Sequence, residues 1–169
     1  MATPFHVELV TPERVLYSGE VSEVSMRTDA GEIAFLAHHE DFIAGAGVTV
    51  VRLTTAGAGE ETAVVRAAVH GGFVHFDQDS NRLEILAGVA ELGGAIDVDR
   101  ARRSLERAEA AAAGAPEHGT AAASLDESAS AHGAPMSGTM LAMLAPDEPA
   151  AVAQRARVRL EAAEAPPAR

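Results

Sequence analysis

The sequence predicts an α+β chain: an N-terminal antiparallel β-sandwich, or flattened barrel, over residues 1–94, followed by a C-terminal α-helical hairpin over 95–169. Three observations predict it. Up to Gly88, short runs of β-forming residues recur at about ten-residue spacing and are broken by turn formers. Beyond Gly93-Gly94 the apolar period lengthens to that of a helix. No helix-length segment separates the strand-like runs, which argues against a doubly wound parallel sheet.

The strand-like runs fall at 5–10, 21–26, 48–54, 62–69, 72–76 and 83–86. Between them stand Thr11-Pro12, Asp29-Ala30-Gly31, residues 56–59, Gly71-Gly72 and residues 77–81, all rich in residues that accept turn geometry. Alternation gives the runs two faces, with Val21, Val24 and Met26 set against Glu20, Glu23 and Arg27. Two antiparallel layers packed face to face fit this pattern.

In the C-terminal part, Asp97 can cap a helix whose apolar line is Val98, Ala101, Leu105, Ala108 and Ala112 and which ends near Gly114-Ala115-Pro116. A second helix is expected from Asp147-Glu148-Pro149 to Glu164, before Pro166-Pro167, with Val152, Ala156, Leu160 and Ala163 on one line. Both lines are mostly alanine, so each buries little area, and the helices must lean on each other or on a partner. Between them, residues 115–146 form an Ala/Ser/Gly/His-rich stretch whose apolar knot is Met140, Leu141, Met143 and Leu144. This composition reads as a mobile connection, with a partner-docking segment as the alternative.

Composition removes several function classes. The chain has 169 residues, enough to bury a core, and a net charge of −12, which argues against a nucleic-acid partner. It contains no cysteine, excluding disulfides, cysteine-ligated metal sites and a thiolate nucleophile. All 13 basic residues are Arg, so a phosphate loop with its lysine and Schiff-base chemistry are excluded as well. No apolar run approaches the roughly 18 residues of a membrane span, and the N-terminus lacks the basic flank and long apolar core of a signal peptide; a cytoplasmic location is expected.

Catalytic motifs of the GxSxG, HExxH or strand-linked GxGxxG kind do not occur. His38-His39-Glu40-Asp41 has the residue types of a metal site, but neighbours on extended chain point in opposite directions and cannot easily share an ion. His70 and His75 flank Gly71-Gly72 and read as edge or turn histidines. The arginines say more. Arg100, Arg103 and Arg107 lie on one helix face, and Arg155 and Arg159 stand four apart on the second helix. In a paired hairpin these guanidiniums could converge on a polyphosphate. The competing reading is a solvated face neutralised by Glu106, Glu109, Glu161 and Glu164.

Taken in order along the chain, these segments resemble the epsilon subunit of the F-type ATP synthase. His6–Val21 is similar to that family's first hairpin, and Gly31-Glu32-Ile33 followed by His39 matches its Gly-Glu-x-Gly-x-x-Pro-Gly-His segment, with Ala37-His38 in place of Pro-Gly. Gly71-Gly72-Phe73-Val74 and Leu83-Glu84-Ile85-Leu86 are similar to the later strands. Ile96-Asp97-Val98-Asp99-Arg100-Ala101 reproduces the Ile/Leu-Asp-x-x-Arg-Ala that opens the first helix, and Arg155-Ala156-Arg157-Val158-Arg159-Leu160 is similar to the family's Arg-Ala-x-x-Arg-Leu. The long 115–146 connection departs from the family's short turn.

The resemblance implies a non-catalytic rotor subunit of the central stalk, peripheral on the cytoplasmic face of the cell membrane. It would join the gamma subunit to the membrane c-ring, couple proton flow to ATP synthesis, and restrain ATP hydrolysis by moving its hairpin, which could then touch the alpha and beta subunits. The resemblance implies no required cofactor. The resemblance also implies regulatory ATP binding by the folded-down hairpin, through positions matching Glu91, Ile96, Asp97, Arg100, Ala101, Arg107, Arg155 and Arg159. Arg107, Arg155 and Arg159 would contact phosphates, and Asp97 and Glu91 would orient them or the nucleotide. Asp97 as a plain helix cap and Arg100 as the partner of a sandwich acid stay open. The alternative functions are a stand-alone ATP-binding regulator using the same arginines and, more remotely, a small hydrolase or isomerase with carboxylates on the barrel.

Overall fold

Seven strands form one sheet that closes on itself in the computed structural model, which describes residues 3–55, 63–114 and 148–164. They are β1 (Phe5–Val10), β2 (Val15–Thr28), β3 (Gly31–Phe35), β4 (Phe42–Thr55), β5 (Val64–Asp77), β6 (Arg82–Ala87) and β7 (Ala90–Leu92). Their order is β1-β6-β5-β4-β2-β3, and β1 also pairs with β2, so five strands close a flattened barrel while β3 extends β2 and β7 extends β5. All pairings are antiparallel except β1 with β6, which is parallel.

Three of the strands are 14 residues long and serve both layers. A strand that passes from one layer to the other must reverse the face it buries. In β2 this happens at Ser22, where the register with β4 slips, and the bulge explains why Val21 and Val24, three apart, both point inward. In β4 and β5 the reversal falls at Gly47 and Gly71-Gly72. Phe42, Ala44 and Ala46 face the core before it in β4 and Val51 and Leu53 after it, while in β5 Ala67 and Val69 give way to Val74 and Phe76. Gly71-Gly72 is therefore not the turn that the sequence suggests between two strands. It is a corner inside one, with both residues at positive φ, 85° and 153°. Gly72 also needs its missing side chain, because a Cβ there would lie 2.1 Å from the Leu86 carbonyl oxygen.

The core consists of Phe5, Phe35 and Phe76 among Val, Leu and Ile side chains drawn from β1 to β6. Phe35 lies against Phe42 and Phe76, at ring-centroid distances of 5.4 and 6.0 Å, and the His39 ring joins the same group. His38 beside it is exposed and adopts φ 60°, the left-handed conformation that favours glycine. The turn is held all the same, since the His38 N–H donates to Asn81 Oδ1 at 2.7 Å. The two histidines part, one into the aromatic cluster and one to solvent, but they do so in a turn closed by the His39 N–H on the Leu36 carbonyl, not on the extended chain that the sequence reading assumes. The sequence reading left β3 and β7 unassigned, since five and three residues are too few for a visible alternation.

A 3-10 turn, Gly93–Ala95, leads into α1 (Val98–Gly114), and α2 covers Pro149–Ala163. Asp97 caps α1, its Oδ1 accepting the Arg100 N–H at 2.9 Å, and Pro149 opens α2 after Glu148. The helices run antiparallel: Ile96 before α1 meets Ala162 near the end of α2, and Glu109 pairs with Arg157 at 2.8 Å. The stripe expected on α1 stops short, since Ala101 and Ala108 are buried but Ala112 is exposed. On α2 the buried residues are Ala151, Ala153, Ala156 and Ala162, not a single line through Val152, Leu160 and Ala163, because the helix is covered by α1 on one side and by the sheet on another. The expected break at 56–59 and the 115–146 connection lie outside the described residues.

Candidate functional site

The residues that face α2 come from the outward positions of β4, β5 and β7. In the first half of β5, inward Val65, Ala67 and Val69 alternate with outward Arg66, Ala68 and His70. On β7, Glu91 stands opposite Ala68. Helix α2 crosses this face with an apolar contact of Ala162, Ala163 and Val158 against Val50, Ala68 and Ile96. Every one of these side chains is small or branched, and at about 0.8 kcal/mol for each buried methylene-sized group the contact is modest.

Polar contacts frame it. Arg159 Nη2 donates to Glu91 Oε1 at 2.5 Å, both side chains being about one-third exposed. Arg52 of β4 pairs with Glu161, and Arg66 of β5 donates to the Glu164 carbonyl and, at 3.4 Å, to the Glu161 carbonyl, capping the C-terminal end of α2. Glu161 of α2 thus pairs with an arginine of the sheet, whereas spacing suggested a partner on its own helix. Close approach requires Gly93, where a Cβ would lie 2.2 Å from the Ala162 carbonyl oxygen.

The structure brings some of the expected site residues together and leaves others apart. Glu91 and Arg159 are paired, and Arg155, one turn earlier on α2, lies within electrostatic reach of His70 beside them. Ile96 is 8% exposed in the contact under α2, and Ala101 is 2% exposed on α1. Asp97 serves as the cap. Arg100 and Arg107 are exposed on α1; Arg107 Nε donates to the Arg103 carbonyl at 3.1 Å, and neither guanidinium has an ion-pair partner among the described residues. Arg100 does not pair with a sandwich acid there.

Sequence reasoning missed Arg52, Arg66 and His70. His70 is not a turn residue but sits mid-strand beneath α2, with both ring nitrogens shielded and without a hydrogen-bond partner among the described residues. Burial first, then the Arg159 guanidinium and to a lesser degree Arg155, hold its imidazole down to about 4, against the opposing pull of Glu91. The visible signal was the alternation Val65, Ala67, Val69 against Arg66, Ala68, His70, had it been carried to the end of the run. On another side of α2 a cleft of about 730 Å³ opens over Ser25, Arg27, Glu32 and Arg52, with Gln154 and Glu161 on the helix, and its charges balance.

Comparison with known proteins places this architecture. Residues 4–93 match the model of the ATP synthase delta/epsilon chain β-sandwich domain, a match that ends where the 3-10 turn begins. The ATP synthase epsilon chain of Streptomyces griseus is 41% identical over 110 residues, covering 64% of this chain and 82% of that one. That of Thermobifida fusca is 48% identical over 109 residues, covering 64% and 77%. Among solved structures, a chain of the Euglena gracilis mitochondrial ATP synthase, resolved with OSCP, F1 and c-ring, superposes with a TM-score of 0.58 at 21% identity over 69% of this chain and 71% of its own, which shows the shared fold. A closed sandwich of this topology and 41–48% identity over most of the relatives' length lead to one conclusion: the chain belongs to the ATP synthase epsilon chain family.

Proposed function

We propose that this chain is a non-catalytic rotor subunit of a proton-translocating F-type ATP synthase, seated peripherally on the cytoplasmic face of the membrane between the gamma subunit and the c-ring. The observation that carries the reading is the 41–48% identity to epsilon chains over about 110 residues, together with the match of residues 4–93 to the sandwich-domain model. The fold supports it. Gly-corner strands and a Phe-centred core make the sandwich a stiff body suited to transmitting torque, and no helix among the described residues is long and apolar enough to cross a membrane. Co-expression with the gamma subunit tests it: a stoichiometric complex is expected, and a chain that purifies alone with no affinity for gamma contradicts it. That outcome would favour the stand-alone regulator.

The same proposal includes a regulatory hairpin. With α2 held on the sheet, Arg155 and Arg159 form the anion-binding edge of an ATP site, assisted by Arg107 and Arg100 of α1, while Glu91 fixes the Arg159 guanidinium and Asp97 fixes the start of α1. The nucleotide is a ligand and is not turned over. Bound ATP would stabilise the docked form by RT ln(1 + [L]/Kd), about 1.4 kcal/mol for each tenfold excess over Kd. Calorimetry should show ATP affinity falling at least tenfold in both Arg155→Ala and Arg159→Ala, as expected for loss of about 1.5–3 kcal/mol per charge-assisted contact. Unchanged affinity in both variants removes the site.

A further inference from the structure

His70 is half-buried on the face that α2 covers, and among the described residues neither of its two shielded ring nitrogens has a hydrogen-bond partner. A shielded polar group without a partner costs free energy, and a buried charge costs far more. The groups that face this imidazole decide which protonation state the site accepts. From α2 come Arg155 and Arg159, both cationic; from β7 comes Glu91, whose Oε1 already accepts from Arg159; from β4 the residue opposite in register is Val48. Further along the same face, Arg66 and Arg52 are engaged by the end of α2. An imidazolium here would therefore meet two guanidiniums and one carboxylate that is already spoken for.

We propose that His70 makes the docking of α2 acid-labile: the imidazole fits beneath the helix only while uncharged, so its protonation drives α2 off the sheet. The inference rests on the reading that the hairpin can leave the sandwich, and it adds the group that sets when it does. Once α2 is released, His70 is hydrated and returns to the ordinary histidine range near 6.5. The docked pKa is depressed, so the stabilisation of the docked form is complete above about 6.5 and is lost as pH falls towards 4. Between pH 7.5 and 5.0 this linkage changes the docked-to-released ratio by about 10- to 30-fold.

Because the chain has no native cysteine, a label pair can be placed cleanly on exposed positions of the sandwich and of α2, as Gln78→Cys and Ala150→Cys. Spin-label distances in the full chain at pH 7.5 and 5.0 should show a single docked separation giving way to a broad released population. His70→Gln, which keeps a polar group but does not titrate, should reduce that change to less than threefold. His70→Phe, which fills the space without polar atoms, should stay docked at both pH values. A response of wild-type size in both variants overturns the proposal, and so does a His70 ring resonance that titrates near 6.5 while α2 is docked. Gly93→Val, built to push α2 away through Ala162, separates the two ideas. Release in that variant without an acid response in the wild type removes only the role of His70, whereas labels that never separate in any variant remove the mobile hairpin together with it.

Discussion

Gly72→Val is expected to destabilise the sandwich by about 2–6 kcal/mol, the sum of overpacking and backbone strain of about 1–3 kcal/mol each. The new Cβ would lie 2.1 Å from the Leu86 carbonyl oxygen and 2.9 Å from the Ala87 Cα, both backbone atoms of the paired strand β6, which cannot swing aside as a side chain tip can. The residue also sits at φ 153°, where a β-branched side chain is strained. Urea unfolding should show a lower midpoint with an unchanged slope, since the loss falls on the native state. A variant as stable as the wild type would mean that β4 and β5 do not turn their shared corner at this glycine.

The second large effect is expected at Gly93, and it should be local. A side chain there meets the Ala162 carbonyl oxygen at 2.2 Å and the Arg66 carbonyl oxygen at 3.3 Å, so Gly93→Val wedges α2 away from β5 and β7. The Phe-centred core lies on the other side of the sheet, and its unfolding should move by no more than about 0.5 kcal/mol, as for a surface substitution. The amides of α2 should exchange at least tenfold faster than in the wild type, because the Ala162 contact, the Arg66 cap and the Arg159–Glu91 pair are lost together. Equal loss of protection in the core strands would show that α2 is integral to the sandwich.

Much of this arrangement was legible in the sequence, for reasons that can be named. Asp97 and Pro149 announced the two helix starts because capping and N1 preferences are local. The sandwich showed in the recurrence of β-forming runs, and the family in the order of its motifs. The corners were not legible. Gly71-Gly72 looks the same in sequence whether the chain turns back or bends within a strand, and only the partner β4, bending at Gly47 in the same place, decides between them. The face of α2 was misread for a related reason: alanine lines carry a weak pattern, and a helix buried on two sides has no single line to find.

The candidate site divides in the same way. Glu91 and Arg159, 68 residues apart, were named from motif resemblance, and the fold pairs them. Arg52, Arg66 and His70 carry no motif, and their importance arises only from where α2 lies. Arg100 and Arg107 were placed by helical spacing on one face, and they stay on the exposed side of α1, so their part in binding an anion depends on the ligand drawing them in.

The account depends on a stiff sandwich that carries a separately held helix pair. Native-state hydrogen exchange of the whole chain measures this directly. The account predicts that amides of β4 and β5 exchange only through global unfolding, while those of α1 and α2 open at a free energy lower by about 2 kcal/mol or more and as one unit. Helix and sheet amides sharing a single opening free energy would contradict it, for then no part of this chain could change neighbours while the rest stays folded.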